Sequence, residues 1–213
     1  MSSQSRALAY SLVSVPLFRL PDEGLLSQVR SQEFADALEA VERGLPSEGV
    51  REGVALIRDW ISDASGPEVL DDLARDRTYL FRALAPGVGA PPPYESFWHR
   101  SASTESTMAD IADAYRQASV SVASSAHERV DYLGVELMFM MRLIARELDG
   151  DRRALEATRA REAAFFFGHV DSWVAEYVHA ALPLAESGFF KGLLQVLLAL
   201  VEGERSYLKD AAA

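Results

Sequence analysis

Four carboxylates and a concentration of aromatic rings fall into two short runs of this 213-residue chain. The first is Pro91-Pro92-Pro93-Tyr94-Glu95-Ser96-Phe97-Trp98. The second starts Glu128-Arg129-Val130-Asp131-Tyr132 and carries on through Val135, Glu136 and Phe139. A plain linker would rarely carry so much apolar area, and the acidic chain suits a cationic or neutral partner. If the second run is helical from Glu128, a turn of about 100° per residue puts Asp131, Tyr132, Val135, Glu136 and Phe139 on the same side as Glu128. Leu133, Leu137, Met140 and Ile144 then fall on the opposite side. Two readings of the acidic face are open. Glu128 and Asp131 could oppose the positive end of the helix macrodipole, worth ~0.3–1 kcal/mol each, with Phe139 packed against a neighbouring helix. A groove mixing acid and apolar surface would account for all of these residues together.

Bond-making chemistry has little to draw on. The chain has no cysteine, which removes disulfides, thiolate nucleophiles and cysteine-held metals. Glu176-Tyr177-Val178-His179 has the Glu-x-x-His spacing that supplies half of a dinuclear carboxylate site, but no second copy exists. Phosphate-cradling glycine loops and the Gly-x-Ser-x-Gly elbow are absent from the sequence. His169 and Trp173, four apart, read as a packed or hydrogen-bonded pair. The formal net charge of −11 argues against a nucleic-acid partner, because such binding rests on lysine and arginine neutralising phosphates. The expectation is a protein that is not an enzyme and holds no metal or cofactor. The alternatives are an all-α metal or small-molecule enzyme using Glu136, Glu176 and His179, or a helical adaptor for a folded partner.

The elements that must position these residues read as helices throughout. Ala7 to Phe18 predicts a first helix, with no cleavage signature of a signal peptide. Asp22 to Arg43 predicts a second, bounded by Pro21 and Gly44. Val50, Val54, Ile57 and Ile61 lie on one stripe behind Ser47, a candidate N-cap. Leu70, Leu73, Leu80, Phe81 and Leu84 form the next stripe, between Gly66-Pro67 and Pro86-Gly87. Met108, Ile111 and Tyr115 mark a further helix, and Ser119 to Ala126 a loop. Val130 to Leu148 follows with Gly150 as a C′ residue, then Asp151 to Leu182, then Ser187 to Leu208. Three consecutive prolines have a fixed φ and no N–H, so Pro91 to Pro93 make a stiff extended spacer between two helical halves. No apolar run approaches the ~20 residues of a membrane span. The prediction is one all-α domain over 1–213 with roughly eight to ten helices: an N-terminal half 1–85, a hinge 86–100 and a C-terminal half 101–213.

The motif residues resemble the TorD/DmsD-type family of redox-enzyme maturation chaperones. That family carries Leu-Phe, a Gly/Pro-rich hinge reading Pro-Pro-Tyr-Glu-Ser and an aromatic, then Glu-Pro-x-Asp-His running into Glu-Leu-x-Phe-Met. Leu80-Phe81, Pro86-Gly87 and Pro92 to Phe97 match the first part. Glu128, Asp131, Glu136-Leu137 and Phe139-Met140 match the second, and Phe167, His169, Trp173 and Tyr177 look like the family's later helix. Arg129 stands where the family has proline and Tyr132 where it has histidine, so no role of that histidine is carried over. The resemblance covers about Leu70 to Val201. It implies a TorD-like helical domain, a cytoplasmic location and no cofactor. The implied partners are the twin-arginine leader and the apo catalytic subunit of a molybdopterin oxidoreductase. The chain would act as a monomer or a domain-swapped dimer, through Tyr94, Glu95, Ser96, Phe97, Trp98, Glu128, Asp131, Tyr132, Val135, Glu136 and Phe139.

Overall fold

Helix follows helix along the chain. The structure, a computed structural model, describes residues 1–66, 68–82, 84, 87–99, 102–119, 128–149 and 152–212. In order these are α1 (Ser3–Phe18), α2 (Glu23–Val29), α3 (Gln32–Gly44), α4 (Glu48–Asp63), α5 (Val69–Phe81), α6 (Glu95–Trp98), α7 (Thr104–Gln117), α8 (Leu133–Asp149), α9 (Arg152–Phe165), α10 (Val174–Ala181) and α11 (Gly188–Ala212). A π-helical turn spans Phe166–Val170 and a 3-10 turn Leu182–Leu184. No strand occurs among the described residues, so the all-α class holds. Pro67, Pro86, Gly150, Asp151, His127 and the stretch after Ser119 lie outside the described residues.

Polar N-caps decide where helices begin. The side chains of Ser2, Asp22, Ser31, Ser47 and Ser103 each accept the N–H of the third residue of the helix that follows. Ser47 does so for Val50 at 3.2 Å, as its position before the stripe predicts. Ser31 explains one departure. The single helix expected over 22–43 is two, because the Ser31 hydroxyl donates back to the Gln28 carbonyl at 2.7 Å and accepts from Phe34 N–H at 3.2 Å. That serine offers the backbone a better local partner than a continuing helix does. The long helix expected over 151–182 is also interrupted, by the π turn and the irregular residues after it. These divisions, and the single-turn α6, bring the described helices to eleven.

Helices from before the hinge pack on helices from after it: α1 lies along α8, and α4 along α11. The α4–α11 crossing is close because two glycines face each other there. A Cβ on Gly53 would stand 2.7 Å from the Gly192 carbonyl oxygen, inside contact distance. Val50, Val54 and Ile57 are buried at this seam, and Leu133, Leu137, Met140 and Ile144 on α8, as their spacing predicts. Leu148 does not join them and is 57% exposed. Asp76 on α5 is buried and starts α11. Its carboxylate accepts the N–H groups of Glu186 and Ser187 at 3.1 and 2.9 Å and the Ser187 hydroxyl at 2.5 Å.

A charged cluster ties α1 to α8, α9 and α11. Arg6, fully buried, donates from Nε and Nη2 to Glu204 at 2.6 and 2.7 Å, from Nη2 to Glu162 at 2.7 Å and from Nη1 to Glu147 at 3.3 Å. Arg159 donates to the other oxygen of Glu147 at 2.7 Å. Two guanidiniums therefore meet three carboxylates. Burial pushes the Glu162 carboxyl up to about 7, against the pull of Arg6, which relieves the surplus negative charge.

Candidate functional site

The two motif runs meet backbone to backbone. Tyr94 and Tyr132 form an isolated antiparallel bridge, in which Glu95 N–H donates to the Asp131 carbonyl and Leu133 N–H to the Pro93 carbonyl, both at 3.0 Å. The prolines have no N–H to offer, but their carbonyls are used on both sides. Pro93 receives Leu133, and Pro92 receives the indole N–H of Trp98 at 3.0 Å, which folds α6 back over the proline segment. The Ser96 N–H at the start of α6 points at Asp131 Oδ2, 3.3 Å away. The chain before Leu133 is thus a turn and a bridge rather than helix.

That changes the face inferred from a helix beginning at Glu128. Val135 and Phe139 are 5% and 1% exposed and do not line an open groove. The Phe139 ring lies 4.3 Å from Tyr115 on α7 and 4.6 Å from Phe165 at the end of α9, so two helices cover that side of α8. Tyr132 is also buried; its hydroxyl donates to the Leu17 carbonyl at 3.2 Å and its ring meets Phe18 edge-on. Asp131, Glu136 and Glu95 are buried as well. What reaches solvent is a smaller set: Phe97, 50% exposed, with Tyr94, Ser96, Trp98 and Glu128 partly so.

Beneath this surface lies a polar layer that sequence reading missed in part. His169 Nδ1 stands 3.0 and 3.1 Å from the two oxygens of Glu95, and His99 Nδ1 stands 3.0 Å from Glu95 Oε1. Trp173 donates its indole N–H to Glu136 Oε2 at 3.1 Å and stacks near Trp98, with centroids 6.5 Å apart. His169 and Trp173 are therefore not partners of each other; each holds one of two adjacent carboxyls. The π turn at Phe166–Val170 sets them that way, since its wider winding, closed by Asp171 N–H on the Phe166 carbonyl, rotates the residues after it. Nothing in the sequence announces that turn. The four-residue spacing of Glu95 and His99 was a legible signal for His99.

Burial, then the charge of nearby Glu95, pushes the Glu136 carboxyl well above the usual range, against the stabilising Trp173 hydrogen bond. The folded chain consequently holds this proton where the unfolded chain has lost it. Stability must then fall as pH rises above ~4.3, the ordinary glutamate value. Glu162 adds a loss of the same sign that ends near pH 7. Glu136→Gln keeps an acceptor for Trp173 and removes the titration. In urea denaturation it is expected to raise the midpoint at pH 8 and leave it nearly unchanged at pH 4; an equal shift at both would contradict the assignment.

The alternative metal or substrate pocket does not assemble. Glu176 and His179 are exposed on α10, whereas Glu136 is sealed beneath the hinge. Among the described residues no group of three or more His, Asp or Glu side chains is placed to hold a metal ion.

The carboxylates on the accessible side already carry cations. Arg129 bonds Asp131 through both arms of its fork, at 2.9 and 2.7 Å, and Arg82 donates to Glu128 at 2.9 Å. Both carboxylates are therefore ion-paired within the chain. The all-helical fold is consistent with a TorD-like domain. A family model described as Nitrate reductase delta subunit matches residues 44–179, more than half of the chain, and the chain belongs to that family of NarJ/TorD-type chaperones. It is a molybdoenzyme maturation chaperone in that general sense, a family whose partners are nitrate-reductase-like molybdoenzyme subunits. Both motif runs, His169 and Trp173 lie inside the match, while Arg6 and Glu204 lie outside it. The match starts earlier than the motif resemblance and stops short of α11. No described helix is long and apolar enough to cross a membrane.

Proposed function

We propose that the chain binds the twin-arginine leader of the apo catalytic subunit of a molybdopterin oxidoreductase in the cytoplasm, and holds that subunit until its cofactor is inserted. Export waits on that release. The observation that carries this reading is the direct bridge between the two motif runs, which gathers Tyr94, Ser96, Phe97, Trp98 and Glu128 on one accessible surface. Asp131 lies at the edge of that surface, beneath Arg129. Glu95, Tyr132, Val135, Glu136 and Phe139 shape it from behind.

Magnitudes assign the roles. Exposed ion pairs give ~0.2–1 kcal/mol each, whereas micromolar binding needs about 8 kcal/mol. Burying on the order of 300 Å² of apolar surface supplies about 7 kcal/mol before ordering costs. The rings set affinity, and the charges set register and encounter rate. Phe97 is half exposed and makes its described ring contact with Trp98, so truncating it should spare the fold. Phe97→Ala is expected to weaken a synthetic leader peptide about tenfold or more in titration calorimetry, with an unchanged thermal midpoint. Unchanged affinity would contradict the reading. Capture of the client subunit should also fail when its leader is deleted; equal capture without the leader would favour an adaptor for the folded subunit.

A further inference from the structure

A site for an arginine side chain needs a carboxylate to meet the guanidinium fork, and gains from a further acceptor and a ring face. All three surround Tyr94, and the chain fills them itself. Arg129 Nε and Nη2 donate to the two oxygens of Asp131, and Nη2 also donates to Ser96 Oγ at 2.8 Å. Its guanidinium carbon lies 4.8 Å from the centre of the Tyr94 ring. At the other end of the same tyrosine, the hydroxyl stands 3.4 Å from Glu128 Oε2, and Arg82 holds Glu128 Oε1. Exposure is unequal within each pair. Asp131 is fully buried and the Glu128 side chain 16% exposed, while the Arg129 and Arg82 side chains are 41% and 50% exposed. The acceptors are built into the fold, and the donors sit over them from the solvent side.

Holding the two runs together does not require these pairs. Arg129 and Asp131 are two residues apart in sequence, and the link to the hinge is already made by the backbone bridge. We propose that Asp131 and Glu128 are a pair of guanidinium subsites flanking Tyr94, occupied in the free protein by Arg129 and Arg82 and taken over by two arginines of a bound peptide. This deepens the leader-binding reading above and rests on it for the identity of the guest.

Exchange of one guanidinium for another conserves the hydrogen bonds, so the resident arginines act as competitors at an effective concentration on the order of millimolar. Guest affinity falls by the fraction of time the subsites are open. A lone arginine gains nothing over the resident, whereas two arginines joined to an apolar segment add ring contacts that the residents lack. The self-occupied pair thereby rejects single basic residues.

Removing the residents tests this. Arg129→Ala should lower the thermal midpoint by leaving Asp131 unpaired, and millimolar methylguanidinium should restore it. Methylguanidinium should leave the wild type and Arg129→Ala/Asp131→Asn unmoved, and methylammonium, which lacks the fork, should rescue poorly. If Arg129→Ala does not fold, Arg129→Gln, which keeps a donor for Ser96, takes its place. A leader peptide with both arginines should bind Arg82→Ala/Arg129→Ala about tenfold tighter than wild type, by calorimetry. Absence of methylguanidinium rescue, or peptide affinity that is unchanged or weaker in the double variant, overturns the subsites. Intact rescue with no peptide binding by any variant would instead uphold the subsites and overturn the leader as their guest.

Discussion

Arg6→Ala is expected to lose about 3–5 kcal/mol of stability, a large fraction of the roughly 5–15 kcal/mol that holds a typical domain folded. The cause is what the substitution leaves behind. Glu147, Glu162 and Glu204 are buried around the guanidinium, on α8, α9 and α11, and Arg159 reaches only Glu147. Without Arg6, two carboxylates lose their cation in a place that water does not reach. The Tyr207 ring, 4.4 Å from the Arg6 guanidinium, loses its contact as well. Arg6→Lys keeps the charge but not the fork that reaches three carboxylates, so it should recover only part of the loss. Guanidinium denaturation of the three proteins measures this. A variant within about 1 kcal/mol of wild type would show that the cluster does not hold α1 in place.

Phe139→Ala is the second large effect, also about 3–5 kcal/mol, read as the shift in denaturation midpoint. Its ring fills the space between Tyr115 and Phe165, and Tyr115 is held from closing the gap by its hydroxyl bond to the Val130 carbonyl at 3.1 Å. The cavity therefore stays. Leader binding per folded molecule should change little, in contrast to Phe97→Ala. A stable Phe139→Ala protein that had lost the peptide would restore the groove on α8.

Phe139 also shows how the sequence could mislead. Its spacing on α8 was legible, and so was its separation from Leu133 and Leu137. Which neighbours cover that side was not, because periodicity within one helix says nothing about α7 and α9. Extending the helix back to Glu128 compounded the error, since an apolar run does not reveal that residues before Leu133 bond across to the proline hinge. The contact between the two runs follows from no periodicity, because the stiffness of the proline segment says it can reach a partner but not which one. The cap at Ser47 follows from short-range chemistry, as does the α4 stripe. Arg6 gave no signal at all: an arginine near the start of an apolar helix reads as a solvent-facing charge, and its three partners lie 141 or more residues away. The π turn that aims His169 and Trp173 is likewise a product of packing.

The leader-binding claim is tested most directly by photocrosslinking from defined surface positions. A benzoylphenylalanine in place of Phe97 should capture a twin-arginine leader peptide, and capture should fall when both peptide arginines are replaced by alanine. The same probe in place of Leu20 or Leu184, which are 72% and 44% exposed, should capture little. Crosslinking that is equal from all three positions, or stronger from Leu20 or Leu184, would contradict the placement of the leader at the hinge.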